Sequence, residues 1–192
     1  MSAFTIPNLI SIFRLVLVPI VVWLVIQGRF DWAFWGFVIA GVSDGIDGWI
    51  ARRFDQRSDL GAYLDPLADK ALLVSLYVTL AIIGVLPVWI TLLVVTRDLL
   101  IVGGVILSWV IGKAVEVKPL MVSKLNTVAQ ILYVVLALAD QAFTMDLKAA
   151  VEIALFVVAV LTVLSGGAYV VSWLKAMSEI PDDGRPDGDQ PR

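Results

Sequence analysis

The run Asp44–Asp69, DGIDGWIARRFDQRSDLGAYLDPLAD, sets the four aspartates Asp44, Asp47, Asp65 and Asp69 and an arginine, Arg52, among segments otherwise apolar enough for a membrane. An ionised carboxylate in hydrocarbon costs roughly 3 kcal/mol or more, so charge of this density marks a functional site by default. Asp44 and Asp47 stand three apart, and Asp65 and Asp69 four apart, so on helices each pair shares one face. If the polar run around Arg53 to Ser58 is a tight turn between antiparallel helices, Asp47 and Asp65 lie equally far from its middle, as do Asp44 and Asp69. The four carboxylates then converge on one cavity, opened by the small residues Gly48, Ala51 and Gly61. Mutually repelling carboxylates raise one another's pKa unless cations sit between them. An all-oxygen set suits Mg²⁺ or Mn²⁺ better than zinc.

The stretch resembles the signature of the CDP-alcohol phosphatidyltransferase family, DxxDGxxARx8GxxxDxxxD, matched at Asp44, Asp47, Gly48, Ala51, Arg52, Gly61, Asp65 and Asp69. The resemblance implies two divalent cations, Mg²⁺ or Mn²⁺, held by Asp44, Asp47, Asp65 and Asp69, with Asp69 also the general base. It implies a CDP-linked lipid lying against Gly48, Ala51 and Gly61 and held by Arg52. The opening PNLISIFR is similar to the family's PNxxTxxR, with Ser11 for the threonine, which adds Asn8 to the CDP-lipid residues. For Asn8 and Arg14 an interfacial anchor is the competing reading.

Charge in this run could also arise in two ways that need no nucleotide site. Charges at the end of a helix hairpin snorkel to the interface, which suffices for Arg53, Asp55, Arg57 and Asp59. An ion or proton carrier also uses intramembrane carboxylates. Glycines, Ala51 and Arg52 at fixed offsets favour a nucleotide-shaped recess over a proton relay.

The elements that must position these residues are membrane helices. The 192 residues are 60% hydrophobic and only 16% charged, with mean hydropathy +0.93. Cysteine and histidine are both absent, which removes disulfides, thiolate and imidazole chemistry and leaves carboxylates for acid–base work. Apolar runs near the roughly 20 residues of a span fall at Leu15–Gln27, Trp32–Ala51, Leu60–Gly84, Pro87–Gly112, Leu120–Ala139 and Ala149–Leu174. The expected fold is all-α and polytopic: six transmembrane helices with a short N-terminal interfacial helix. Residues 1–176 form one membrane domain, and 177–192, rich in Asp, Gly and Pro, a disordered cytoplasmic tail. Basic residues gather on the side of the aspartate run, so the positive-inside rule puts both termini and the site at the cytoplasmic face of the inner membrane. The tryptophans read as interface anchors.

Outside the signature, Arg97-Asp98 is a second intramembrane charged pair, read either as an internal bridge or, through Arg97, as a ligand for an acceptor phosphate. Lys118 and Lys124 flank Pro119 where an acceptor phosphate would sit, though lysines there also serve topology. Lys70, beside Asp69, offsets the aspartates or snorkels. The stretches LDPLADKALLVSLYVTL, TRD at Thr96–Asp98 and KPLMVSKLNTVAQ are similar to the CMP-forming cardiolipin synthase branch of the family and, somewhat less, to the phosphatidylglycerophosphate synthase branch. The partners implied are CDP-diacylglycerol, phosphatidylglycerol or else glycerol 3-phosphate, membrane lipids and a second copy in a homodimer. No nucleic-acid partner is expected.

Overall fold

The computed structural model describes the backbone of residues 6–54, 59–110, 121–143 and 145–178, and the side chains of 10–45, 70–104, 107, 121–143 and 145–175. Six helices account for the described residues, with no strand among them: α1 Ile6–Ile26, α2 Phe30–Phe54, α3 Asp59–Ile82, α4 Val88–Val110, α5 Met121–Ala142 and α6 Lys148–Ser178. Each corresponds to one expected apolar run. The short opening helix is not a separate element: from Ile6 it is continuous with the first long helix. Nothing between Ile6 and Ile26 breaks the helix, and Pro19 is carried inside it.

Two helix ends are set by glycine. Gly28 (φ 70°) follows α1, with Arg29 N–H donating to Leu24 O at 2.9 Å and Gly28 N–H to Val25 O at 3.0 Å. Gly84 (φ 80°) repeats the arrangement after α3, with Val85 to Leu80 at 2.9 Å and Gly84 to Ala81 at 3.1 Å. This crossed pair of bonds satisfies the last carbonyls and requires a left-handed residue, which costs glycine nothing. Between α5 and α6 the Asp140 carboxylate ties the connection instead, accepting from Leu147 N–H at 3.0 Å.

Cross-helix bonds fix the helix directions. Arg14 meets Asp44, and Thr91 Oγ1 donates to Tyr77 O at 3.2 Å, so α1/α2 and α3/α4 are antiparallel hairpins. Arg97 meets Ser165 and Tyr169 Oη donates to Ile101 O, so α4 and α6 run parallel. Helix α1 packs on α2 and α3, α2 on α5, α5 on α6 and α6 on α4, with α3 touching α4 and α5. The starts of the odd helices and the ends of the even ones therefore share one end of the bundle, where the signature lies.

The interior is filled at helical spacing by Val21 and Val25, Ala33, Phe37 and Ala40, Leu73, Leu76, Tyr77 and Leu80, Ile90 and Val94, and Tyr133, Val134, Ala137 and Leu138. The outside is apolar too. Trp23, Trp32, Trp35 and Trp89 project outward at the end away from the signature, and large side chains such as Leu99, Ile153 and Phe156 are about two-thirds exposed. An exterior of this kind is stable against lipid and not against water. Among the described residues, Met121–Ala142 and Lys148–Lys175 are each long and apolar enough to cross a membrane, with mean hydropathy 1.6 and 2.3.

Candidate active site

The helices bring the two halves of the signature to one end of the bundle, the second half of α2 and the first half of α3. Of the signature residues, Asp44 has a described side chain. Asp47, Gly48, Ala51, Arg52, Gly61, Asp65 and Asp69 lie on described helical backbone, and their side chains, like that of Asn8, lie outside the described set. Lys118 falls outside the described residues altogether, and Lys124 is exposed near the start of α5.

Asp44 is the outer, more exposed end of an ion pair. Its Oδ1 accepts from Nη1 of Arg14 on α1, with the arginine side chain 2% exposed and the aspartate 43% exposed. Arg14 is thus packed inside the bundle and not laid along its surface. The interfacial-anchor reading of that residue does not hold in the structure, because α1 continues inward through it.

A second charged group lies across the bundle end. Asp98 on α4 accepts from the ammonium of Lys70 at Oδ2 and from Nη1 of Arg97 at Oδ1, the latter at 2.8 Å. Arg97 also donates to Ser165 Oγ on α6, from Nη2 at 2.6 Å and Nε at 3.2 Å, and to Ser123 Oγ on α5. Arg97 and Asp98 are 4% and 7% exposed. The guanidinium is therefore a tie among α4, α5 and α6, the internal bridge that was one of its two readings. Lys70 is turned to Asp98 on α4.

Sequence reasoning missed the inner face of α5. Ser123, Asn126 and Gln130 recur at helical spacing within an apolar helix, and Asn126 Oδ1 accepts from Thr162 Oγ1 at 3.0 Å. Tyr77 Oη reaches the Gln130 carbonyl at 3.3 Å. The spacing was the available signal: three polar residues on one face of a membrane helix point inward.

Asp44 and Lys70 open onto a cleft of about 570 Å³ between α2, α3 and α5. Its deeper walls are Phe37, Val38, Ala40, Gly41 and Val42 of α2, Leu72 and Leu73 of α3, and Ile131 and Val135 of α5, with Thr127 nearer the polar end. Phe37 lies seven residues from Asp44, about 10 Å along the helix at 1.5 Å per residue. Val42 and Ile131 are 56% and 41% exposed, so the cleft is open on its lateral side. A separate groove of about 480 Å³ between α4 and α6, lined by Leu99, Leu100, Gly103, Gly104 and Tyr169 among others, has no charged lining.

The one signature carboxylate with a described side chain, Asp44, lines the cleft, and its oxygens are of the kind that suits a hard divalent cation. Among the described residues there is no cluster of three or more potential ligands, three of the four aspartates having undescribed side chains.

Residues 4–167 match the family model described as CDP-alcohol phosphatidyltransferase. The chain is 33% identical over 188 residues to a cardiolipin synthase (CMP-forming) / mitochondrial hydrolase fusion protein of Schizosaccharomyces pombe, covering 89% of this chain and 31% of that protein. It is 35% identical over 158 residues to the cardiolipin synthase (CMP-forming) of Homo sapiens, covering 74% of this chain and 52% of the other. It is 34% identical over 185 residues to the chloroplastic CDP-diacylglycerol–glycerol-3-phosphate 3-phosphatidyltransferase 1 of Oryza sativa subsp. japonica, covering 87% and 56%. The chain spans about half the length of the human and rice relatives and under a third of the yeast fusion protein.

Proposed function

Because the chain belongs to the CDP-alcohol phosphatidyltransferase family, we propose that it transfers a phosphatidyl group from CDP-diacylglycerol to phosphatidylglycerol, forming cardiolipin and releasing CMP. The observation that carries a lipid substrate is the open cleft: a polar end at Asp44 and Lys70 leads into apolar walls about 10 Å deep, and the choice of phosphatidylglycerol as acceptor rests on the resemblance of KPLMVSKLNTVAQ to the cardiolipin synthase branch. That shape suits a molecule with its head group at the bundle end and its chains in hydrocarbon.

Asp44, Asp47, Asp65 and Asp69 hold two divalent cations, Mg²⁺ or Mn²⁺, which when bound neutralise the diphosphate and the charge developing on the leaving phosphate. Gly48, Ala51 and Gly61 leave room for the CDP moiety, and Asn8 and Arg52 bind it. Asp69 accepts the proton of the acceptor hydroxyl. As that proton leaves, the hydroxyl oxygen attacks the lipid-side phosphorus, a P–O bond forms, and the bond to CMP breaks in line. Lys118 and Lys124 bind the acceptor phosphodiester. Arg97 faces Asp98, Ser123 and Ser165, and we assign it to keeping the acceptor side of the bundle in register. All six helices span the inner membrane, with both termini and the site cytoplasmic.

Glycerol 3-phosphate is the second reading, favoured by the rice relative, whose match covers 87% of this chain. The test offers both acceptors with labelled CDP-diacylglycerol to one preparation and separates the lipids. Cardiolipin as the main product is expected. Phosphatidylglycerophosphate without cardiolipin would move the chain to the other branch. Release of no CMP with either acceptor would leave the carrier reading of the aspartates.

A further inference from the structure

Helix α4 carries no signature residue, yet one of its side chains reaches the helix that does. Asp98 binds Lys70, the residue that follows Asp69, and its other oxygen holds Arg97, which continues to Ser165 and Ser123. A single buried carboxylate thus ties α3 to α4 and, through the guanidinium, to α5 and α6. Lys70 is 41% exposed and lines the same cleft as Asp44. Its flexible stem gives the ammonium a choice between Asp98 and the carboxylates of the signature. Asp98, at 8% side-chain exposure, is the stronger partner, because Coulomb attraction is less screened where water is excluded.

We propose that Asp98 is a positioning residue for the metal site: by holding Lys70 against α4 it keeps that ammonium from neutralising the aspartates of α2 and α3, and so leaves them available to divalent cations. The inference rests on the metal-dependent reading given above. An ammonium and a metal ion compete for the same carboxylate oxygens. Releasing Lys70 therefore weakens metal binding even where the fold is kept.

The test measures Mn²⁺ binding to the detergent-solubilised full chain from the electron paramagnetic resonance signal of the free ion, with unfolding temperature followed in parallel. Asp98→Asn, which can still accept from Arg97, is expected to weaken Mn²⁺ binding about tenfold. Lys70→Gln in the Asp98→Asn background is expected to restore it to within about twofold of the unsubstituted chain, a rescue that a merely structural role for Asp98 does not produce. Asp98→Glu is expected to bind as the unsubstituted chain does. Undiminished binding by Asp98→Asn, or a double variant as weak as Asp98→Asn, overturns the proposal. Should Asp98→Asn alone fail to fold, the double variant decides: folded and binding Mn²⁺ normally, it supports the proposal, and unfolded, it shows Asp98 to be a structural tie only. Absence of Mn²⁺ binding by the unsubstituted chain is a different result, which refutes the metal reading and this inference with it.

Discussion

Arg14 on α1 and Asp44 on α2 form an ion pair between surroundings of opposite kind, the arginine side chain 2% exposed and the aspartate 43% exposed. The buried partner is the cation, and it lies on the helix that begins the chain. Helix α1 therefore fixes the orientation of the first signature carboxylate. Arg14→Ala is expected to lower stability by about 1.5–3 kcal/mol, the range for a hydrogen bond to a charged group. Arg14→Lys, which keeps the charge and loses the planar fork, should lie between the two. Thermal unfolding in detergent checks the order, and an Arg14→Ala chain that melts with the unsubstituted one would show the pair to be incidental.

Chelation should abolish CMP release, and added Mg²⁺ or Mn²⁺ should restore it, because clustered carboxylates around a diphosphate need cations. Turnover that persists in excess EDTA would end the two-metal reading.

Asp69→Asn should leave CDP-diacylglycerol binding largely intact while stopping transfer, since the amide fills the same space and cannot take the acceptor's proton. Asp44→Asn and Asp47→Asn should weaken metal and nucleotide binding as well. Calorimetric binding alongside turnover separates the two classes, and near-normal kcat in Asp69→Asn would place the base elsewhere.

Two glycines of α2 should behave in opposite ways. A Cβ on Gly36 would stand 2.9 Å from Cγ2 of the buried Val21, a branched side chain with little freedom to give. Gly36→Ala should thus cost about 1–3 kcal/mol of stability, with activity per folded molecule unchanged. Gly48→Leu should do the reverse, blocking CDP binding at normal thermal stability. If Gly48→Leu loses both together, Gly48 is a packing glycine.

The helices were legible because their limits are chemical. Gly28 and Gly84 occupy left-handed positions that the apolar runs cannot continue through, and Pro87 follows the second. The signature was legible because its spacing is local to two adjacent helices. Pairings between distant helices were not. That Lys70 turns to Asp98, and that Arg14 lies inside α1's packing and meets Asp44, depends on how each helix is rotated about its axis, which tertiary packing decides. The polar face of α5 lay between these cases: Asn126 and Gln130 could be read as inward, but Thr162 as the partner of Asn126 could not, being 36 residues away on α6.

The open side of the cleft, where Val42 and Ile131 are exposed, carries a kinetic consequence. A lipid that enters from the side arrives by diffusion in two dimensions, so the quantity that sets its encounter rate is its mole fraction in the surrounding bilayer and not its concentration per volume of suspension. Diluting the acceptor with inert lipid in vesicles should slow the reaction at constant total acceptor, whereas adding more vesicles of the same composition should leave the rate per enzyme unchanged. With the mole fraction of CDP-diacylglycerol held constant, a water-soluble acceptor would be indifferent to both manipulations.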